Sequence, residues 1–96
     1  MGAAGRFAVR VRSTQEMSVK AYIMINVKTG TEDAVSEKIL KFSEVEEVAA
    51  IYGEFDLVLK VKAKDMNHLD KIIVDKLRGI PDILLTATML IAKEYR

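Results

Sequence analysis

The segment that most constrains the fold is residues 51–62, where a glycine separates two runs rich in β-forming residues. Large apolar residues occupy every second position from Phe55 to Val61, and this period of two predicts a strand with one buried face. Gly53 tolerates the positive φ of a tight turn, so a hairpin is the simplest interpretation. The same turn also offers backbone N–H groups and the carboxylates of Glu54 and Asp56 to a small zwitterion. The residues of the turn alone are compatible with both interpretations.

Further strands and helices are predicted on both sides of this strand. Three other segments have the alternation or composition of strands: residues 20–27, 45–52 and 83–92. One helix is predicted to begin after Thr31 and to run to about residue 42, and a second is predicted over about residues 66–77, because Thr31 and Asp65 are suitable N-caps and apolar residues follow at helical spacing. The order β-α-β-β-α-β predicts an α+β, ferredoxin-like fold: a four-stranded antiparallel sheet with both helices on one face.

The second face of such a sheet has no helix over it. In the last strand, simple alternation assigns five residues to the helix side: Ile83, Leu85, Ala87, Met89 and Ile91. The open face then carries Tyr22, Met24, Val58, Leu84, Thr86, Thr88 and Leu90. This face is too apolar to remain wet, so a second copy of the sheet is its simplest cover, which predicts a dimeric α+β sandwich or barrel.

Residues 17–96 are predicted to form one domain, preceded by an N-terminal extension of residues 1–16. In the extension, three arginines alternate with Phe7, Val9 and Val11, a pattern that fits a short edge or exchanged strand, while a disordered extension stays open as the alternative. The arginines also rule out a secretory signal, and no apolar run is long enough to span a bilayer.

The composition offers little for catalysis or metal binding. Cysteine is absent, which suits a reducing cytoplasm, and His68 is the only histidine; a solvated position near the Asp65 cap is expected for it. The serines have no evident base partner, and Gly30 lacks the companions of a phosphate loop. The net charge of +1 gives no bias toward nucleic acid or membrane. We therefore expect no cofactor, no metal, no direct nucleic-acid contact and no membrane partner.

Residues 21–93 resemble the effector-binding domain, or RAM module, of the leucine-responsive regulator family (Lrp/AsnC). The resemblance rests on six short motifs in order: Thr29-Gly30-Thr31-Glu32-Asp33, Val45-Glu46-Glu47-Val48, Gly53-Glu54-Phe55-Asp56, Asp65-Met66, Leu77-Arg78-Gly79-Ile80-Pro81 and Thr86-Ala87-Thr88. Two features depart from the family. The helix-turn-helix is missing, which predicts a stand-alone module, and Glu54 occupies a position where aspartate is common.

The resemblance implies a non-enzymatic, cytoplasmic regulatory module that binds a free amino acid. It implies dimers that pair sheet to sheet and then form rings such as octamers, with the amino acid near the contacts between dimers. The implied ligand-binding residues are Gly53, Glu54, Phe55, Asp56, Thr86 and Thr88. Full-length Lrp/AsnC regulators are expected as further partners. A carboxylate of the turn would pair with the ligand's ammonium, and N–H groups near Gly53 would hold its carboxylate.

Two alternatives share the size and topology. One is a small dimeric enzyme of the monooxygenase type, which needs a polar or histidine residue in a sheet cavity. The other is an ACT-like regulatory subunit, in which the ligand would bind at the Gly30 turn after the first strand.

Overall fold

The computed structural model describes residues 18–96, so the strand predicted in the N-terminal extension lies outside the described residues. The elements are β1 (Val19–Val27), α1 (Glu32–Ile39), β2 (Val45–Ala50), β3 (Leu57–Ala63), α2 (Met66–Lys71) and β4 (Ile83–Leu90), with a π-helical segment (Ile72–Leu77) directly after α2. The strands form one antiparallel sheet in the order β2-β3-β1-β4. The predicted ferredoxin-like βαββαβ fold is confirmed.

The core lies between the sheet and the two helices. The central strands β1 and β3 contribute alternate buried residues: Ala21, Ile23, Ile25, Val27, Leu57, Leu59, Val61 and Ala63. The helical segments contribute Val35, Ile39, Leu69, Ile72 and Leu77. Because the strand residues all belong to one face of the sheet, both helices cover that same face. Burial of this apolar set is the main stabilising term of the fold.

The helix ends show how local sequence sets the element bounds. The Asp65 side chain accepts a hydrogen bond from the N–H of His68 at 2.8 Å, as expected of an N-cap. Thr31 also occupies an N-cap position, but its hydroxyl donates to the carbonyl of Lys28 at 2.6 Å and makes no cap hydrogen bond. The π-helical segment ends with the N–H of Arg78 donating to the carbonyl of Ile73 at 3.0 Å. The predicted span of the second helix, residues 66–77, is confirmed.

The predicted facing of β4 is wrong for most of the strand. Val27 pairs with Ile83, but Asn26 pairs with Leu85, so Leu84 is an extra residue at a β-bulge. Beyond the bulge, Ile25 is opposite Thr86, and residues directly opposite each other share a face. Three residues therefore lie on the helix side instead of the open face: Thr86, Thr88 and Leu90. Their alternating neighbours in β4 lie on the open face instead of the predicted helix side: these are Leu85, Ala87 and Met89. A one-residue insertion reverses every side chain after it, and alternation alone does not reveal it.

The open face of the sheet is apolar toward β4. The pairing register assigns it Tyr22 and Met24 from β1, Val58 and Lys60 from β3, and Leu85, Ala87 and Met89 from β4. Tyr22, Leu85 and Met89 are 40%, 55% and 53% exposed. Within residues 18–96, both helices lie on the opposite face, so this surface is available to a partner.

Candidate functional site

The turn between β2 and β3, residues 51–56, contains four of the six predicted ligand residues. Gly53 has φ +145, a conformation that residues with a side chain rarely adopt, which confirms the predicted need for glycine. Nothing lies within 4 Å of the position where a Cβ would be, so the backbone alone requires glycine here. Tyr52 and Glu54 are exposed, whereas Phe55 is half-buried. The turn thus exposes the carboxylate of Glu54 and the ring of Tyr52 to solvent, and the backbone at Gly53 is also exposed.

Asp56 connects this turn to the end of β1. Its Oδ2 accepts a hydrogen bond from the backbone N–H of Val27 at 2.9 Å, and its own N–H donates to the carbonyl of Ile25 at 3.0 Å. Its carbonyl accepts from the N–H of Ile51 at 3.0 Å. Oδ2 of Asp56 therefore takes the place of a backbone carbonyl from a neighbouring strand as the acceptor for the N–H of Val27. The other oxygen, Oδ1, is the one that an ammonium group would have to reach.

Thr86 and Thr88 lie in a groove between β4 and the second helix. The groove has a volume of about 620 Å³ and is lined by Met66, Asn67, Leu69, Asp70, Ile73, Arg78, Thr86, Thr88 and Leu90. Its apolar lining is bordered by one carboxylate, one guanidinium and two hydroxyls. A guanidinium and hydroxyls can bind a carboxylate, and the apolar lining can accommodate an apolar side chain.

One chain does not bring the turn and the groove together. Strand β1 lies between them, since Ile25 accepts from Asp56 on one side and pairs with Thr86 on the other. Two strand spacings separate Asp56 and Thr86 by about 10 Å. In addition, Thr86 faces the helices, and the groove lining includes none of residues 51–56. The six predicted residues therefore fall into two separate groups, one in the turn and one in the groove.

A polar cluster that sequence reasoning missed joins the loop before β2 to the second helix. Both carboxylate oxygens of Glu44 accept a hydrogen bond from Lys76 Nζ at 2.8 Å, and Oε2 also lies 3.2 Å from His68 Nε2. His68 Nδ1 accepts from the N–H of Lys64 at 2.9 Å, so Nε2 carries the proton and donates to Glu44. The hydrogen bonds from Lys76 lower the pKa of Glu44 from 4.5 to about 2, and His68 adds to this effect. His68 is thus a half-buried bridging residue as well as a neighbour of the Asp65 cap.

This cluster had no sequence signal, because Glu44 is 24 residues from His68 and 32 residues from Lys76.

Within residues 18–96, no group of three or more histidine, cysteine or carboxylate side chains is arranged to hold a metal ion. Over the same residues, neither helix has the length and apolar character needed to cross a membrane.

Comparison with known sequences identifies relatives of this domain. The family model described as the Lrp/AsnC ligand binding domain matches residues 20–96. The HTH-type transcriptional regulator FL11 of Pyrococcus abyssi is 32% identical over 79 residues, which are 82% of this chain and 52% of that protein. The chain thus spans about half the length of this curated relative.

Solved structures share the fold. A hypothetical protein from Pyrococcus horikoshii is 39% identical with a TM-score of 0.74, and the match covers 80% of this chain and 93% of that one. A transcriptional regulator from Neisseria meningitidis, solved as an L-Met complex, has a TM-score of 0.76 at 21% identity, covering 81% of this chain and 52% of that one. At this identity the second likeness concerns the fold alone. With a family match that extends over residues 20–96, the chain belongs to the Lrp/AsnC ligand-binding domain family.

Proposed function

We propose that this chain is a non-enzymatic regulatory module that binds a free amino acid where copies of the chain meet. The observation that carries the proposal is the separation of the predicted ligand residues into two half-sites, residues 53–56 in the turn and Thr86 with Thr88 in the groove. A ligand that uses both half-sites must lie between two chains. The module acts through assemblies with its own copies and with full-length regulators of the same family.

The two half-sites complement the two charges of an amino acid. Glu54 is exposed and carries a carboxylate for the ammonium group, and Asp56 Oδ1 is a second acceptor nearby. In the groove, Arg78 supplies a guanidinium for the ligand's carboxylate, and the hydroxyls of Thr86 and Thr88 supply further hydrogen bonds. The apolar groove residues would select among ligand side chains by size.

The open sheet face supports self-association with a second copy. Four strands at about 4.8 Å spacing, with seven or eight residues at about 3.3 Å each, give a projected face of roughly 19 by 25 Å. The projected area is about 480 Å², and the accessible area of a pleated face exceeds its projection, against ~800 Å² per partner in a standard interface. Exposed Leu85 and Met89 lie on this face, where burial gains about 25 cal/mol per Å² of apolar surface. A chain this small also benefits from the added core.

Substitutions at Asp56 separate a ligand role from a structural one. Asp56→Asn keeps an oxygen that can accept from the N–H of Val27 but removes the charge, whereas Asp56→Ala removes both. The twenty amino acids are first screened by thermal shift with the wild type, since ligand at a hundred times its Kd stabilises the native state by about 2.7 kcal/mol. Calorimetric titration of the best binder then compares wild type, Asp56→Asn, Asp56→Ala and Glu54→Gln. Glu37→Gln, an exposed position on α1, is the matched control.

We expect Asp56→Asn to remain folded and to bind roughly 10- to 100-fold more weakly, the range for a lost charged hydrogen bond. Glu37→Gln should bind as the wild type does. If Asp56→Asn and Glu54→Gln both bind with unchanged affinity, the site assignment is wrong. If only Asp56→Ala is impaired, and through lower stability, then Asp56 has only the structural role that its bond to Val27 provides. A wild type that binds none of the twenty amino acids would contradict the proposed function itself.

A further inference from the structure

After β4, the chain turns across the open face of the sheet. The N–H of Ile91 donates to the carbonyl of Lys20 at 2.9 Å and extends the pairing with β1 by one step. Three residues later, Glu94 reaches both central strands: its Oε2 lies 2.7 Å from Lys60 Nζ, and its Oε1 lies 3.2 Å from Lys20 Nζ. Residues 91–96, the C-terminal segment, thus connect β1 and β3 through one carboxylate.

Both lysines belong to the open face. In the register of the sheet, Lys60 is opposite Tyr22, and Lys20 alternates with buried Ala21. Only 15% of the Lys60 side chain is exposed, and its Nζ lies 6.0 Å from the centre of the Tyr22 ring. The open face therefore has two regions: an apolar region toward Leu85 and Met89, and a charged region around Glu94.

A second copy that covers this face has to remove water from the charged region. A lysine without a partner in a dry interface opposes association strongly, whereas a charge that is paired and hydrogen-bonded opposes it far less. Glu94 uses both oxygens on the two lysines, and Glu47 is opposite Lys60 on β2. Lys20, Lys60, Glu47 and Glu94 together carry no net charge. Lys62, opposite Lys20, is exposed and can keep its ammonium in water.

The direction of the pKa shifts agrees with this pairing. The hydrogen bond with Glu94 raises the pKa of Lys60, and the hydrogen bond from Lys60 lowers the pKa of Glu94. Each partner thus favours the charged form of the other, so the pair stays ionised at neutral pH.

We propose that Glu94 is a charge-neutralising residue of the self-association surface. By holding Lys20 and Lys60, it neutralises the charged region of the open face so that a second copy of this chain can pack over both the apolar region and the charged region that the C-terminal segment crosses. The proposal rests on the sheet-to-sheet self-association described above and adds the C-terminal segment to that interface.

Sedimentation equilibrium of the whole chain tests this role. Glu94→Gln keeps the size of the side chain but leaves the lysine charges unbalanced. The quadruple variant Lys20→Met, Lys60→Met, Glu47→Gln, Glu94→Gln replaces the whole cluster by uncharged groups. Glu37→Gln, on the helix-covered side of the molecule, removes the same charge elsewhere. Far-ultraviolet circular dichroism checks that each variant remains folded.

We expect Glu94→Gln to raise the dimer dissociation constant roughly 10- to 100-fold, and Glu37→Gln to leave it within about twofold. The quadruple variant should return to within about threefold of the wild type, because uncharged groups can replace a paired cluster in an interface. An unchanged dissociation constant in Glu94→Gln overturns the proposal, and so does a quadruple variant as weak as Glu94→Gln. A wild type that stays monomeric at every concentration overturns the self-association itself, which is a distinct outcome.

Discussion

Replacing Lys76 by methionine measures how much the half-buried carboxylate of Glu44 contributes to stability. Methionine keeps most of the apolar stem of lysine and removes the ammonium that binds both oxygens of Glu44 at 2.8 Å. The pKa of Glu44 falls from 4.5 to about 2 in the folded chain, with Lys76 as the largest cause. The difference between these two pKa values corresponds to about 3 kcal/mol for all partners of Glu44 together. Because the Lys76 side chain is 39% exposed, we expect a loss of only about 1–2 kcal/mol at neutral pH.

The pH dependence gives this loss a characteristic sign. The folded pKa of Glu44 lies below its unfolded value, so the unfolded chain takes up the proton first as the pH falls. The stabilisation is therefore fully present above pH 4.5 and is lost as the pH falls through about 2. The difference between the wild type and Lys76→Met should shrink over the same window, because a protonated Glu44 no longer attracts an ammonium group.

Urea denaturation followed by circular dichroism at four pH values, near 7, 4.5, 3 and 2, measures this difference. Lys71→Met, which removes an exposed lysine of α2, is the control and should change the free energy of unfolding by less than about 0.5 kcal/mol. A Lys76→Met difference that stays constant from pH 7 to pH 2 would refute the electrostatic explanation. It would then indicate packing of the side chain against Phe42, whose ring centre lies 5.5 Å from Lys76 Nζ.

Two further predictions concern the backbone. Gly53→Ala should lower the free energy of unfolding by about 1–3 kcal/mol in urea titrations. The reason is that alanine at φ +145 is strained even with open space around it. A change near zero would show that the turn can relax to another conformation. Asp65→Ala should lower the thermal midpoint by about 4–8 °C, which corresponds to about 1 kcal/mol for a lost N-cap in a domain of this size. Asp65→Asn should change the midpoint little, because asparagine is also a good N-cap. Equal losses in both variants would contradict a capping role.

The order of elements could be predicted because its signals are local. Alternation of period two marks β3, and the Asp65 cap marks the start of α2, so each bound depends on residues close in sequence. The Gly53 turn belongs to the same class, since its positive φ follows from the need to reverse the chain within a few residues. Such features are determined before any tertiary contact forms.

The orientation of site residues could not be predicted because it depends on pairing between distant segments. The facing of Thr86 and Thr88 follows from the bulge opposite Asn26, about sixty residues earlier in the chain. The bond from Val27 to Asp56 likewise joins residues 29 apart. Neither contact leaves a periodic or compositional trace. The ligand residues suggested by the family motifs were thus assigned without knowing on which side of the sheet they lie.

The reversed facing of Thr86 and Thr88 changes how assembly and ligand binding would be connected. In the proposed dimer, two copies pair through the same surface, the open face, which closes the dimer and leaves the turn and groove of each copy accessible. A contact between the turn of one copy and the groove of another would join two different surfaces, and repeated contacts of this kind form a ring when the rotation between copies closes. An amino acid that touches Glu54 of one chain and Arg78 of the next would stabilise only that second contact. By linkage, such a ligand favours the ring over the dimer by its binding free energy, and ring formation raises its affinity by the same factor. Amino-acid binding would then be read out as a change in assembly size, with no rearrangement of the fold within one chain.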